Sequence, residues 1–209
     1  MFHESLVVLD FETTGLRPER GDRIMEVALV RIENGRLGER YQSLVNSGAH
    51  LPPFVTTYTG ITQAMLDAAP PAADVMRNIA DFIGGTPVVA HCALYDQSFY
   101  LHECWRQGMS RNVDSEPFLC SMRLARRIYP DVPSHTLAAL VTALGLKYKG
   151  IPHRATADAD VTAQLMLRLV GDLATLDDSI EVTTDMLRRL QRTPLPRIPQ
   201  PVTLESLCA

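Results

Sequence analysis

The sequence of 209 residues predicts an α/β domain built on a mixed β-sheet. Two observations carry that reading. Three strand-like runs fill the first 46 residues, and two of them meet at Asn34-Gly35, a strong hairpin signal. From residue 87 onward, short apolar strand candidates alternate with helical stretches, as in a layered α/β fold. Hydrophobic residues make up 46% of the chain and charged ones 21%, which suits a globular protein with one sizeable core.

In order, "SLVVLDFE" (residues 5–12) is apolar and β-branched, the composition of a first strand. "RIMEVALVRIENGRLGERYQSLVN" (23–46) supplies two alternating runs around the hairpin turn, expected to be antiparallel. "HLPPF" (50–54) reads as a proline-bearing loop, followed by short helical material near "TQAMLDAA" (62–69). "PAADVMRNIADFIGG" (71–85) has helical periodicity and stops at paired glycines. "PVVA" (87–90) is a short buried strand, and "LYDQSFYLHECWRQG" (94–108) a helix ending at Gly108, with Trp105 assigned to the core. "PFLCS" (117–121) leads as a strand into the helix "MRLARRIY" (122–129), which Pro130 helps to end. "SHTLAALVTALG" (134–145) places Ser134 as N-cap and Gly145 as C-cap. "TADADVTAQLMLRLVGDLA" (156–174) is a long amphipathic helix, and "QLMLRL" within it is core packing. The domain is expected to span residues 1–175. Residues 176–209 form a C-terminal extension with one short helix, "TTDMLRRLQR", and four prolines from Pro194 to Pro201 that read as an extended tail.

The formal net charge of −4 does not mark a general nucleic-acid binder, but a local site can still be positive. No apolar run approaches the ~18 residues that span a membrane. "MFHESLVVLD" lacks a basic leader region and a cleavage site, so a cytoplasmic location is expected. Cys92, Cys104, Cys120 and Cys208 show no CxxC spacing and read as reduced thiols, three of them in or near the core.

The informative stretch is "VVLDFETTG" (7–15). Residues i and i+2 of a strand share a face, so Asp10 and Glu12 stand side by side at the end of an apolar run and repel. Carboxylates are rarely buried without a counter-charge. Two further segments repeat one spacing, His91 to Asp96 ("HCALYD") and His153 to Asp158 ("HRATAD"). Five positions along a helix rotate by ~140° net, so the spacing suits a histidine in the loop before a helix and an aspartate in its first turns. Both aspartates can then aim at the end of strand one. Four carboxylates converging there require cations, and an all-oxygen site suits two Mg²⁺ or Mn²⁺. Either neutral histidine can serve as a proton acceptor near pH 7, and the spacing alone does not choose between them.

"LDFETTGL", "VAHCALYDQSFY" and "HRATADAD" occur in order across residues 9–160. In these motifs the chain resembles the DEDD-type 3′–5′ exonucleases with a histidine in the last motif, most closely the proofreading epsilon subunits of bacterial DNA polymerase III. The resemblance implies a ribonuclease-H-like fold, two metals held by Asp10, Glu12, Asp96 and Asp158, and His153 as general base. It leaves His91 a supporting role at the end of the "PVVA" strand. Thr13 and Leu16 fall where the family holds the 3′-terminal nucleotide, and "TGIT" (59–62), with Ile61, matches a substrate-contacting loop. Two departures stand out: Cys92 where the family usually has Asn, and Cys120-Ser121 where it often has Asp-Thr.

The implied reaction is hydrolysis of DNA from single-stranded or frayed 3′ ends, releasing nucleoside 5′-monophosphates. The alternatives are an RNA-trimming enzyme like ribonuclease T or oligoribonuclease, and a catalytically silent binding module. Arg17, Arg20 and Arg23, with Arg123, Arg126 and Arg127, are the candidate phosphate contacts. The proline-bearing tail is the expected docking place for a partner such as a polymerase subunit.

Overall fold

The computed structural model describes residues 2–109, 117–176 and 181–194. Five strands form one sheet in the order β3-β2-β1-β4-β5: β1 (Leu6–Thr13), β2 (Ile24–Glu33), β3 (Arg36–Leu44), β4 (Val88–Ala90) and β5 (Leu119–Cys120). β1 runs antiparallel to β2, and β2 to β3, while β4 is parallel to both β1 and β5. The meander followed by crossovers is the mixed sheet expected from the sequence. At the hairpin, Asn34 and Gly35 both take positive φ, the geometry of the tight turn that joins twisted antiparallel strands.

Eight helices flank the sheet among the described residues: α1 (Pro53–Thr59), α2 (Gln63–Asp67), α3 (Ala72–Ile83), α4 (Ala93–Arg106), α5 (Ser121–Ile128), α6 (Leu137–Leu144), α7 (Ala155–Ala174) and α8 (Thr184–Arg192). The strand period of two divides the core. Leu6 and Val8 of β1 pack with Leu165, Met166 and Leu169 of α7, whereas Val7, Leu9 and Phe11 pack with Ile79 of α3 and Phe99 of α4. Continuing that alternation puts Asp10 and Glu12 on the α7 side and leaves α4 behind the strand. A third, small cluster of Met25, Leu51, Val55, Ile61 and Leu66 seats α1 and α2.

Several expectations change. α1 falls where a loop was expected. Its β-branched "PFVTTYT" hides a helix that starts on Pro53 in the first turn and stops at Gly60 in the left-handed region. Thr136, not Ser134, caps α6, its hydroxyl accepting from the Ala139 amide at 3.4 Å. Trp105 is 73% exposed: with Leu94 and Leu101 it forms the outer stripe of α4, opposite the face that buries Phe99 and Cys104. Of the three cysteines among the described residues, Cys104 and Cys120 are buried and Cys92 is exposed. Cys208 and most of the proline tail lie outside the described residues.

The apolar core also runs past residue 175. Val182, Leu187 and Leu190 join the α7-side cluster, and the Gln191 side-chain Oε1 accepts from the Cys120 amide at 2.8 Å. That bond occupies an edge-strand donor of β5. Among the described residues no helix is long and apolar enough to cross a membrane.

Candidate active site

Three elements meet at the C-terminal end of β1. β1 supplies Asp10 and Glu12, paired across β2 with Ala28 and Glu26. α7 supplies Asp158 from its first turn. Oxygens of Asp10, Glu12 and Asp158 lie within 4.8 Å of one another, a space that one ion can bridge. Asp96 comes from the first turn of α4, on the far side of β1, and its Oδ1 accepts from the Phe11 amide at 3.2 Å. It thus reaches the backbone of β1 between the other two acids in sequence; its charge raises Asp10, and the Glu12 charge raises Asp96 in turn.

The start of α7 is fixed by a residue that the sequence reading passed over. Glu26, buried on β2, receives the Arg154 guanidinium at 3.0 and 3.1 Å and the Ala155 amide at 3.0 Å. One carboxylate therefore pairs a cation and caps a helix terminus, two favourable arrangements for a negative charge. The Asp158 Oδ2 in turn accepts from the His153 amide at 3.2 Å. His153 has φ of 62°, uncommon for a residue with a side chain, and its solvent-exposed imidazole lies against the Tyr58 ring, centroid to centroid 4.0 Å.

The acids are electrostatically unsatisfied. Burial, followed by the charges of Asp96, Asp158, Glu12 and Glu26, holds Asp10 well above the usual carboxylate range. Burial and the carboxylates of Asp158 and Glu26 push Glu12 up to about 7, with Arg154 opposing. Burial pushes Asp96 up to about 8 against the Phe11 amide, which favours its charged form. Asp158 is raised by burial as well, opposed by His153 and by the phenol of Tyr148. Burial and the neighbouring Asp158 carboxylate raise that phenol in turn. Among the described residues the buried Asp158 Oδ1 has no hydrogen-bond partner. A clustered, oxygen-only donor set with an orphaned buried oxygen fits hard divalent cations.

The remaining predicted residues fall in distinct places. Thr13 is nearly buried, its hydroxyl donating to the Gly15 carbonyl at 2.6 Å, and Leu16 projects into solvent at 78% exposure. Ile61 has no exposed surface. It anchors the cluster under α1, where its side chain packs the interior. His91 is half-buried with both ring nitrogens engaged, Nδ1 with the Ser121 hydroxyl at 2.9 Å and Nε2 with the His135 carbonyl at 3.1 Å. Burial lowers its pKa to about 4, so the ring is neutral at pH 7. The carbonyl accepts only, which places the proton on Nε2 and leaves Nδ1 to accept from Ser121. Both nitrogens are thereby occupied.

Of the arginines, Arg23 is committed to the buried Glu103, and Arg127 donates to the Arg123 and Thr193 carbonyls. Arg106, also on Glu103, reaches back to the Pro18 and Asp22 carbonyls. Glu103 thereby ties the loop after β1 to α4. Arg17, Arg20, Arg123 and Arg126 remain exposed. Cys92 has φ of 66°, a left-handed position that Asn occupies more readily than Cys. The Asn of the resembling family at this place has a backbone reason.

A mixed sheet with acids gathered at the end of its first strand defines a nuclease of the ribonuclease-H-like class. The exonuclease family model matches residues 7–166, and the chain belongs to that family. It is 31% identical over 169 residues to DNA polymerase III subunit epsilon of Aquifex aeolicus, covering 81% of this chain and 82% of that relative. It is 33% identical over 192 residues to the 3′–5′ exonuclease DinG of Bacillus subtilis, covering 92% of this chain but only 20% of DinG. Among solved structures, exonuclease X in complex with 5′-overhanging duplex DNA superposes with a TM-score of 0.67 at 25% identity, over 89% of this chain and 99% of that one.

Proposed function

We propose that this chain is a 3′–5′ exonuclease that shortens DNA from single-stranded or frayed 3′ ends and releases nucleoside 5′-monophosphates. The observation that carries the reading is the meeting of Asp10, Glu12 and Asp158 within 4.8 Å, with Asp96 behind them. These four residues would hold two divalent cations, Mg²⁺ or Mn²⁺, which would neutralise the acids and supply Lewis acidity to the phosphodiester reaction. His153, exposed beside Asp158, takes the proton of the attacking water. His91 cannot share that task, since both of its nitrogens are occupied. Leu16, exposed on the loop after β1, meets the terminal base, and Thr13 braces that loop. Exposed Arg17, Arg20, Arg123 and Arg126 are the available phosphate contacts, so binding is salt-sensitive.

DNA is favoured over RNA because the epsilon relative is a DNA polymerase subunit and the exonuclease X structure holds DNA. A role beside a polymerase subunit, through the C-terminal tail and in the cytoplasm, belongs to the same reading. The test uses matched 5′-labelled DNA and RNA oligomers. The expected result is a ladder shortening from the 3′ end, faster on DNA, abolished by EDTA and restored by Mg²⁺ or Mn²⁺. Internal cleavage, or equal hydrolysis in EDTA, overturns the proposal. Faster loss of RNA reassigns the substrate and keeps the chemistry.

A further inference from the structure

We infer that Tyr58 is a positioning residue for His153, its ring restricting the imidazole to orientations that face the acidic site. The inference rests on His153 being the proton acceptor and adds what holds it in place. Two contacts converge on the segment, whose His153 has φ of 62°: the His153 amide is held by Asp158 Oδ2 at 3.2 Å, and the next residue is anchored on Glu26. These fix the backbone and leave the two side-chain torsions of His153 undetermined. Among the described residues no hydrogen bond reaches its ring nitrogens, and the described ring in contact with it is Tyr58, at 4.0 Å between centroids and 34° between planes. Tyr58 is well placed to act as a fixed wall. It lies on α1, whose Val55 is buried in the small cluster with Ile61, while Tyr58 itself is 62% exposed on the opposite side. The buried "TGIT" segment thus serves the site at one remove, by holding up the helix that carries Tyr58.

A loose imidazole spends part of its time turned away from the water, which slows turnover without weakening substrate binding. An aromatic contact of this kind sustains about a two- to tenfold difference in population. Tyr58→Leu is expected to lower kcat about two- to tenfold with KM unchanged, and Tyr58→Phe, which keeps the ring, to restore it. Independently of activity, the His153 ring protons of the metal-free protein show an upfield ring-current shift by NMR in wild type and Tyr58→Phe that Tyr58→Leu loses. An unchanged kcat in Tyr58→Leu overturns the inference, as does a rise in KM alone, which makes Tyr58 a substrate contact. Ring-proton shifts unaffected by Tyr58→Leu overturn the stack itself. His153→Asn separates the two levels: if it hydrolyses DNA at the wild-type rate, the assignment of the base fails, whatever the NMR shifts show.

Discussion

Residues 91–96 and 153–158 follow one plan. In each, a histidine stands two positions before a helix, an aspartate sits in the first turn, and one residue between β-type backbone and helix takes a left-handed φ near 65°. The difference is which residue takes that conformation. In the first segment it is Cys92, after the histidine, and His91 turns inward to Ser121 and His135. In the second it is the histidine itself, and the exposed His153 ring lies against Tyr58. Two equal spacings therefore produce a spent imidazole and an available one. What separates them is a single backbone torsion and the partners it exposes to the ring.

The largest effect that can break this contrast is kinetic. His153→Asn keeps a residue that tolerates positive φ and removes the proposed base, so kcat is expected to fall about 10²–10⁴-fold with little change in Tm. His91→Asn should do the reverse. It removes the donor to the His135 carbonyl and leaves the Ser121 hydroxyl only the Ala90 carbonyl at 3.3 Å, at a cost of about 1–3 kcal/mol, and lowers Tm by several degrees while most of kcat survives. Steady-state kinetics and a thermal melt on both variants decide the matter. If His91→Asn is the dead enzyme, the two segments have been assigned the wrong way round.

The contrast also marks how far the sequence could be read. The hairpin, the sheet order's antiparallel half and the starts of α4 and α7 rest on local signals, and local patterns survive folding. The four acids were visible because their types and offsets are unusual for strand ends and first turns. Glu26 was not, since it sits in an ordinary alternating run and its partner Arg154 is 128 positions away. Tyr58 was missed with its helix, whose β-branched residues argue for a loop. Trp105 was misplaced because α4 is apolar on two faces, and periodicity cannot say which of them docks. Ile61 entered on resemblance and proved to be interior packing, although its segment carries a neighbour of the site.

A second comparison sets Asp96 against Asp158 in metal-free protein. Glu12 at about 7 and Asp96 at about 8 keep their protons in the fold while the unfolded chain releases them near pH 4. The native state thus binds more protons than the unfolded one between about pH 4 and 8, and its stability falls as pH rises through that window. In EDTA, Tm is expected to be highest near pH 5 and to drop toward pH 8. Saturating Mg²⁺ should reverse the slope, because the cations bind the deprotonated acids. Asp96→Asn, which retains an acceptor for the Phe11 amide, should flatten the EDTA profile and raise Tm at pH 8 by several degrees, about 2–4 °C for each kcal/mol recovered. Asp158→Asn should raise it as well. A metal-free Tm that climbs from pH 5 to 8 contradicts the crowding of these acids.

The smallest effect isolates the torsion itself. At Cys92 the left-handed backbone carries a side chain that gains nothing from it, being exposed and uncapped. Holding such a residue there costs about 1 kcal/mol, and Asn bears the conformation more easily. Cys92→Asn is therefore expected to raise Tm by about 1–3 °C and leave kcat within about twofold, since no acid or base is touched. The matching change at the other segment, His153→Asn, removes the same kind of strain but also the ring, so it should share the small thermal gain and lose the activity. Equal thermal responses with opposite kinetic ones would show that the two turns are interchangeable as backbone and differ only in what the turn presents. If Cys92→Asn instead lowers Tm, the Cys92 side chain is making a contact that offsets its torsion, and the likeness between the two segments ends at their spacing.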